Sequence, residues 1–259
     1  MVTGAHPIDT PGTDESAWAR WPRLGRLPDA GLLPGTTGGP GAAGVRSAVV
    51  VAAHPDDEVL GAGGLISLLA GTGARLRLVA VTDGEGSHRG HADPAALVRR
   101  RRAETGAALR ALDAGRPEVV RLGLPDTGLD GREDELATAL APLTAGFDVC
   151  LAPWDGDLHP DHEAAGRAAR LAGRHGGESA PPRVFWYPIW MWHWASPADP
   201  RVPWDRARRV PLTPGAVTRK QAAIGCFASQ TEDRGPDLGP VLTPDMLAHF
   251  ARGTEVVFQ

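Results

Sequence analysis

The chain is short of cysteine, of net charge and of long apolar runs, and each shortage removes a class of explanation. Its 259 residues include two cysteines, Cys150 and Cys226. They lie far apart among apolar neighbours and lack metal-ligand spacing, which argues against a disulfide framework and fits a reducing cytoplasm. A net charge of -4 and a pI near 6.1 give no electrostatic reason to expect nucleic acid or an anionic membrane as partner. The basic residues are almost all arginine, which reads as genome composition. No apolar stretch approaches the roughly 20 residues of a membrane span. The opening MVTGAHPIDTPGTDES has neither the basic n-region nor the apolar h-region of a secretory signal. The expectation is a soluble, cytoplasmic protein. At 42% hydrophobic and 22% charged residues, its composition is that of an ordinary globular chain. Its length suits one large α/β domain better than two small ones.

What is present falls into two parts. Residues 1–44 are rich in Gly, Pro and Thr, and LPGTTGGPGAAG holds neither helix nor strand well, because ordering Gly is entropically expensive and Pro removes a donor. This part reads as an extended arm, with Trp18 and Trp21 as the residues that would pack it on the body. Residues 45–259 read as a single domain. Ser47 to Ala53 is a continuous apolar, β-branched run, as expected of a strand buried on both faces. Further strands are predicted at 76–82, 119–122, 148–152 and 184–187. Helices are predicted at about 57–70, 94–112, 133–143 and 163–172. The alternation implies parallel βαβ units and a helix-covered sheet, whose ligands bind at the carboxyl ends of the strands.

Two polar clusters fall at such ends. Ala53-His54-Pro55-Asp56-Asp57-Glu58 follows the first strand, and Asp157-Leu158-His159-Pro160-Asp161-His162 follows the strand ending at Ala152. Either cluster alone would pass for helix capping, since carboxylates accept from the orphan N–H groups of a first turn. Two clusters at one sheet edge, each combining imidazole with carboxylate within a few residues, exceed what capping needs. Catalytic zinc takes three protein ligands from His nitrogen and carboxylate oxygen and leaves a position for water. His54, Asp57 and His162 supply that set, Asp56 stays free as general base, and His159 stabilises or protonates from across the site.

This pair of motifs closely resembles the LmbE-like, or PIG-L, family of zinc N-deacetylases, whose members act on amino sugars carried by lipids, thiol precursors and glycopeptide antibiotics. The resemblance runs from about Val49 to Ser229 and is strong in the two clusters. It implies a Rossmann-like three-layer α/β sandwich with a mostly parallel sheet, and Zn2+ held by His54, Asp57 and His162. It also implies Asp56 as base, His159 as oxyanion support and Asp161 as the residue that orients His159. The expected substrate is a small-molecule N-acyl amino sugar or glycoside.

Around the clusters the signals thin out. Arg101 with Glu104 fits a family-like Arg-x-x-Glu in which the Arg faces substrate, against a reading of Arg99 to Arg102 as a solvated helix face. Asp126, in Leu122-Gly123-Leu124-Pro125-Asp126, would accept from sugar hydroxyls or simply make a turn. Ser229-Gln230 matches a late family pair, but Phe227 stands where a His is often found, so the pair receives no chemistry. Trp186, Trp190, Trp192 and Trp194 alternate as an extended aromatic face would, with Trp192 as a stacking wall for substrate. Their other reading is core packed against the arm. Gly61-Ala62-Gly63-Gly64 lies inside a predicted helix, so a nucleotide-binding reading is weak. Two further functions compete: a metal-dependent hydrolase of another bond, and a non-catalytic sugar-binding protein that retains a metal site.

Overall fold

The computed structural model describes residues 6–35, 44–88, 93–175, 180–234 and 239–259. Within these residues the chain forms a seven-stranded sheet. Its strands are β1 Ser47–Ala52, β2 Arg75–Ala80, β3 Glu118–Arg121, β4 Val149–Pro153, β5 Arg183–Tyr187, β6 Ala207–Pro211 and β7 Thr254–Phe258. Their spatial order is β3-β2-β1-β4-β5-β7-β6. Strands β1 to β5 are parallel; β7 runs antiparallel to β5, and β6 antiparallel to β7. Val50 sits at the centre, in register with Leu78 on one side and Leu151 on the other. Every residue of β1 is buried, which explains why valine fills both of its faces.

Among the described residues ten α-helical segments accompany the sheet: α1 Glu15–Ala19, α2 Pro22–Gly25, α3 Asp57–Gly71, α4 Pro94–Ala111, α5 Glu133–Thr144, α6 Pro160–His175, α7 Met191–Trp194, α8 Pro214–Ile224, α9 Ala228–Thr231 and α10 Pro244–Ala248. Helices α3, α4 and α8 pack together as one layer, and α5 packs on α6 in the other. This is the three-layer α/β sandwich with a mostly parallel sheet. Strand order reverses between β1 and β4, and at that switch point the loops leaving the two strands diverge to opposite layers and open a crevice.

Helix α3 is buried almost all round, and its glycines are there for contact rather than for phosphate. A Cβ on Gly61 would lie 2.1 Å from the Tyr187 ring, and one on Gly64 2.5 Å from Leu212. From β7, Glu255 reaches the same helix and accepts from the N–H groups of Gly64 and Leu65 at 2.7 and 2.9 Å. Lys220 of α8 completes the buried site, its Nζ 2.7 Å from Glu255. With each charge hydrogen-bonded, the pair ties β7 and α8 to α3 in one defined arrangement.

The N-terminal segment differs from the extended arm that its composition suggests, although most of the glycine-rich stretch, residues 36–43, lies outside the described residues. Before that stretch the segment folds into α1 and α2 and drives Trp18, 0% exposed, into the core. The Trp18 ring meets Trp192 edge-on at 5.1 Å, and its Nε1 donates to the Trp192 carbonyl at 2.9 Å. Glu15 accepts from Arg252 Nε at 2.7 Å and pairs with His249 Nδ1 at 2.7 Å. Trp18→Ala therefore empties a filled core position, and is expected to cost about 3–5 kcal/mol in urea unfolding. A loss below about 1 kcal/mol would show that the segment lies on the core without belonging to it. None of the described helices is long and apolar enough to cross a membrane.

Candidate active site

The two polar clusters lie on either side of the β1/β4 crevice. His54 and Asp56 occupy the turn between β1 and α3, and Asp57 is the first residue of α3. Asp157 and His159 occupy the loop after β4, and Asp161 and His162 the first turn of α6. Pro160 opens that helix, a position where its missing N–H costs nothing.

Three groups converge. His162 Nε2 lies 3.3 Å from His54 Nδ1 and 3.2 Å from Asp57 Oδ1, and His54 Nδ1 lies 3.5 Å from Asp57 Oδ2. The far nitrogen of each imidazole is already engaged. His54 Nε2 faces Asp161 Oδ2 at 3.0 Å and Asp126 Oδ1 at 3.2 Å, while His162 Nδ1 faces Asp157 Oδ2 at 2.7 Å. With a metal ion bound there, the carboxylates would hold the imidazole protons on the outer nitrogens, leaving two lone pairs and a carboxylate to face one spot. Such an arrangement suits a cation. Ligand atoms about 2.0–2.1 Å from a tetrahedral ion lie about 3.3–3.4 Å from one another; the His162–His54 and His162–Asp57 Oδ1 separations are close to this, while the His54–Asp57 approach is to the other oxygen, Oδ2. Burial pulls both imidazoles down, but the carboxylates win: Asp126, Asp161 and Asp57 hold His54 well above its ordinary range, and Asp57 and Asp157 raise His162 to about 9. Asp57 lies well below its ordinary range: burial pushes it up, but the charges and hydrogen bonds of His162 and His54 together outweigh burial.

Two other groups also bring their donor atoms together among the described residues: His54, His159 and His162, and His54, Asp126 and Asp161. The His159 ring stacks on His162 at 4.5 Å between centroids, and its buried Nδ1 has no hydrogen-bond partner. His159 also lines the cavity. Burial, then the charges of His162 and His54, push His159 down to about 2, so it stands there as a neutral imidazole.

Asp56 is free of the triangle and strained. Its φ of 121° lies in a region that side chains other than glycine rarely enter. It is buried, with Oδ2 3.2 Å from Arg101 Nη2, and burial lifts its carboxyl to about 7 against the pull of that guanidinium. Glu58 supports it from below, accepting from the Asp56 N–H at 3.1 Å. Burial raises Glu58 itself to about 8. A cavity of about 330 Å³ opens over His54, Asp56, Asp57 and His159, with Trp190 and Arg234 further out on its wall.

Several positions behave differently from expectation. Asp161 does not orient His159: besides His54 it accepts from the N–H groups of Thr127 and Leu129 at 2.8 and 3.1 Å. Arg101 is buried rather than reaching out, bound to the Gly84 and Pro55 carbonyls and to Asp56, so it holds the Asp56 carboxyl in place. Asp126 lines the cavity, yet its oxygens already serve His54 and the Gly86 N–H. Trp192 is no substrate wall. The segment is not extended: Met191–Trp194 makes a helical turn that sends Trp192 into the core beneath Trp18, and Trp190 is the tryptophan that borders the cavity. Ser229 is structural, anchored on Glu104 through its N–H at 2.8 Å and its hydroxyl at 2.6 Å.

Asp157 is the residue that sequence reasoning passed over, and its signal was its place five residues before His162. Fully buried, it holds His162 and also accepts from the N–H groups of Ile189, Trp190 and Met191 at 3.1, 2.9 and 2.8 Å. One carboxylate thus sets both an imidazole of the triangle and the wall beside it. Asp157→Asn keeps the shape but presents an N–H pair where a bond must be accepted. Metal affinity, measured by competition with a chromophoric chelator, is expected to fall about 10–100-fold. Unchanged affinity would reduce Asp157 to a loop anchor.

Comparison with known proteins adds to this geometry. The family described as PIG-L, GlcNAc-PI de-N-acetylase, matches residues 49–172. Among curated protein sequences no match was found. Among solved structures, the conserved protein TT1542 from Thermus thermophilus is 30% identical with a TM-score of 0.54, over 73% of this chain and 80% of that one. N,N'-diacetylchitobiose deacetylase from Pyrococcus horikoshii is 22% identical with a TM-score of 0.54, over 74% and 72%. GalB, the 4-carboxy-2-hydroxymuconate hydratase from Pseudomonas putida, is 25% identical with a TM-score of 0.52, over 71% and 80%.

Proposed function

Because the chain belongs to the PIG-L, or LmbE-like, family, we propose that it is a zinc-dependent N-deacetylase. Its reaction is hydrolysis of the N-acetyl amide of an amino sugar or a sugar-bearing small molecule. The observation that carries this reading is the convergence of His54, Asp57 and His162 on one spot, with the buried carboxyl of Asp56 left over beside it.

Zinc bound by the triangle supplies a Lewis acid that polarises the amide carbonyl and acidifies a water. The chain's own residues do the rest. Asp56 takes the proton of the attacking water on its carboxylate, and a pKa raised toward neutrality suits a group that must then pass that proton to the departing nitrogen. Arg101 keeps the carboxylate from turning away. His159 lies across the cavity as a neutral imidazole and donates a hydrogen bond to the oxygen that gains charge. Asp161, Asp126 and Asp157 hold the two histidine ligands in the tautomers that present lone pairs inward.

The test is acetate release from N-acetylglucosamine and its derivatives by the zinc-loaded protein, with chelated protein alongside. Acetate released only by the loaded form supports the reading. Its absence across the panel, with zinc bound at one per chain, would overturn the reaction assigned. GalB, a hydratase on this fold, gives a second reading: fold alone does not name a reaction. Addition of water to an unsaturated acid without acetate release would favour it.

A further inference from the structure

Two guanidinium groups line the cavity, and they are in opposite states. Arg101 is buried and committed, its Nη atoms bound to Gly84, Pro55 and Asp56. Arg234, half-buried just beyond α9, has two bonds to described residues, both to neutral carbonyls: Nε to Gly239 at 2.8 Å and Nη1 to Ser87 at 3.1 Å. Among the described residues no carboxylate stands within ion-pair distance of it. A guanidinium carries five N–H donors in a rigid fork. Two carbonyls therefore fix the plane of this fork and leave Nη2, with one N–H of Nη1, unused on the cavity wall.

Its place on that wall follows from the contacts beneath it. Arg234 rests on Ser87; the neighbouring Gly86 N–H donates to Asp126 Oδ2 at 2.7 Å, and Asp126 Oδ1 lies 3.2 Å from the His54 ring. Arg234 is thus linked to the metal triangle through the rim of the same cavity. Of the two guanidiniums that line the cavity, Arg101 is paired with Asp56, and Arg234 is the one with no counter-ion among the described residues. A half-desolvated cation held by neutral dipoles is completed by an incoming anion, and a fork geometry suits a carboxylate or phosphate gripped by two N–H groups.

We propose that Arg234 reads an anionic substituent, a carboxylate or a phosphate, on the N-acyl amino sugar or on the group attached to it. The reaction in this statement rests on the N-deacetylase reading; the binding does not. The test compares N-acetylglucosamine with N-acetylglucosamine 1-phosphate, N-acetylglucosamine 6-phosphate and N-acetylmuramic acid, which carry the anion at three positions of the ring. Calorimetric binding and kcat/KM are measured for the parent, Arg234→Gln and Arg234→Lys, with a melting curve for each. At least one anionic probe is expected to bind about tenfold or more tightly than the neutral sugar. Arg234→Gln should bring that ratio close to one, chiefly through KM, and Arg234→Lys should recover part of it. A ratio near one for all three probes in the parent overturns the proposal, as does a ratio that survives Arg234→Gln. Anionic binding that depends on Arg234, without acetate release from any probe, would leave Arg234 as the anion reader and sink the deacetylase reading instead.

Discussion

Replacing Asp56 with asparagine is expected to leave the metal in place while kcat falls by about 10²–10⁴, the usual worth of general base catalysis. The new side-chain amide has nearly the shape of the carboxylate and can still accept from Arg101 through its oxygen. Neither the triangle nor the strained turn should therefore move. What disappears is the ability to take a proton. Two measurements make the case: zinc per chain by atomic spectroscopy, and acetate release under saturating substrate. A kcat within a few-fold of the parent would take Asp56 out of the mechanism. Loss of zinc alongside activity would show instead that Asp56 helps to hold the metal.

His162→Ala is the second large effect, and here metal and activity should go together. The imidazole is one corner of the triangle, its Nε2 3.2 Å from Asp57 and 3.3 Å from His54. Its removal leaves two donors, too few for a tight tetrahedral site. It also strands Asp157, fully buried and deprived of its imidazole partner. A buried carboxylate that loses its partner costs stability as well, so the melting temperature should fall with the zinc content. His159→Ala makes the informative companion. If His159 is a wall residue, that variant keeps its zinc and loses rate; if it loses zinc as His162→Ala does, the His54-His159-His162 set is the true one.

The sequence expectation and the structure agree best where local pattern decides the outcome. Strands β1 to β5 and the helices between them alternate along the chain as their apolar patterning predicts, and their positions follow to within a few residues. Strands β6 and β7 escape the same reasoning. Glu255 is a carboxylate within β7, and Lys220 and two helix N–H groups neutralise it inside the core. The site divides similarly. Histidine and carboxylate spacing marks the crevice, but which imidazole each outer carboxylate serves depends on tertiary geometry. Asp161 holds His54, from 107 residues away, and not its near neighbour His159. The tryptophans mislead for a different reason. A spacing of two residues suits a strand, and the backbone instead turns at Trp190 because Asp157 gathers three successive N–H groups.

The N-terminal segment raises a question of timing. Its partners come late in the sequence: Trp18 bonds to Trp192, and Glu15 to His249 and Arg252, across 174, 234 and 237 residues. During synthesis the segment emerges early and has nothing to dock on until those residues have left the ribosome. The metal triangle, by contrast, is complete in sequence once His162 is made, and Asp157 precedes it. A metal ion held by these three residues would therefore link the ends of β1 and β4 while the antiparallel edge of the sheet is still absent, with the α1–α2 segment docking afterwards. Long-range contacts of this kind form slowly, because loop closure comes before any gain from contact. Refolding from urea should accordingly show early protection of β1 and β4 amides and a later change in tryptophan fluorescence as Trp18 enters the core.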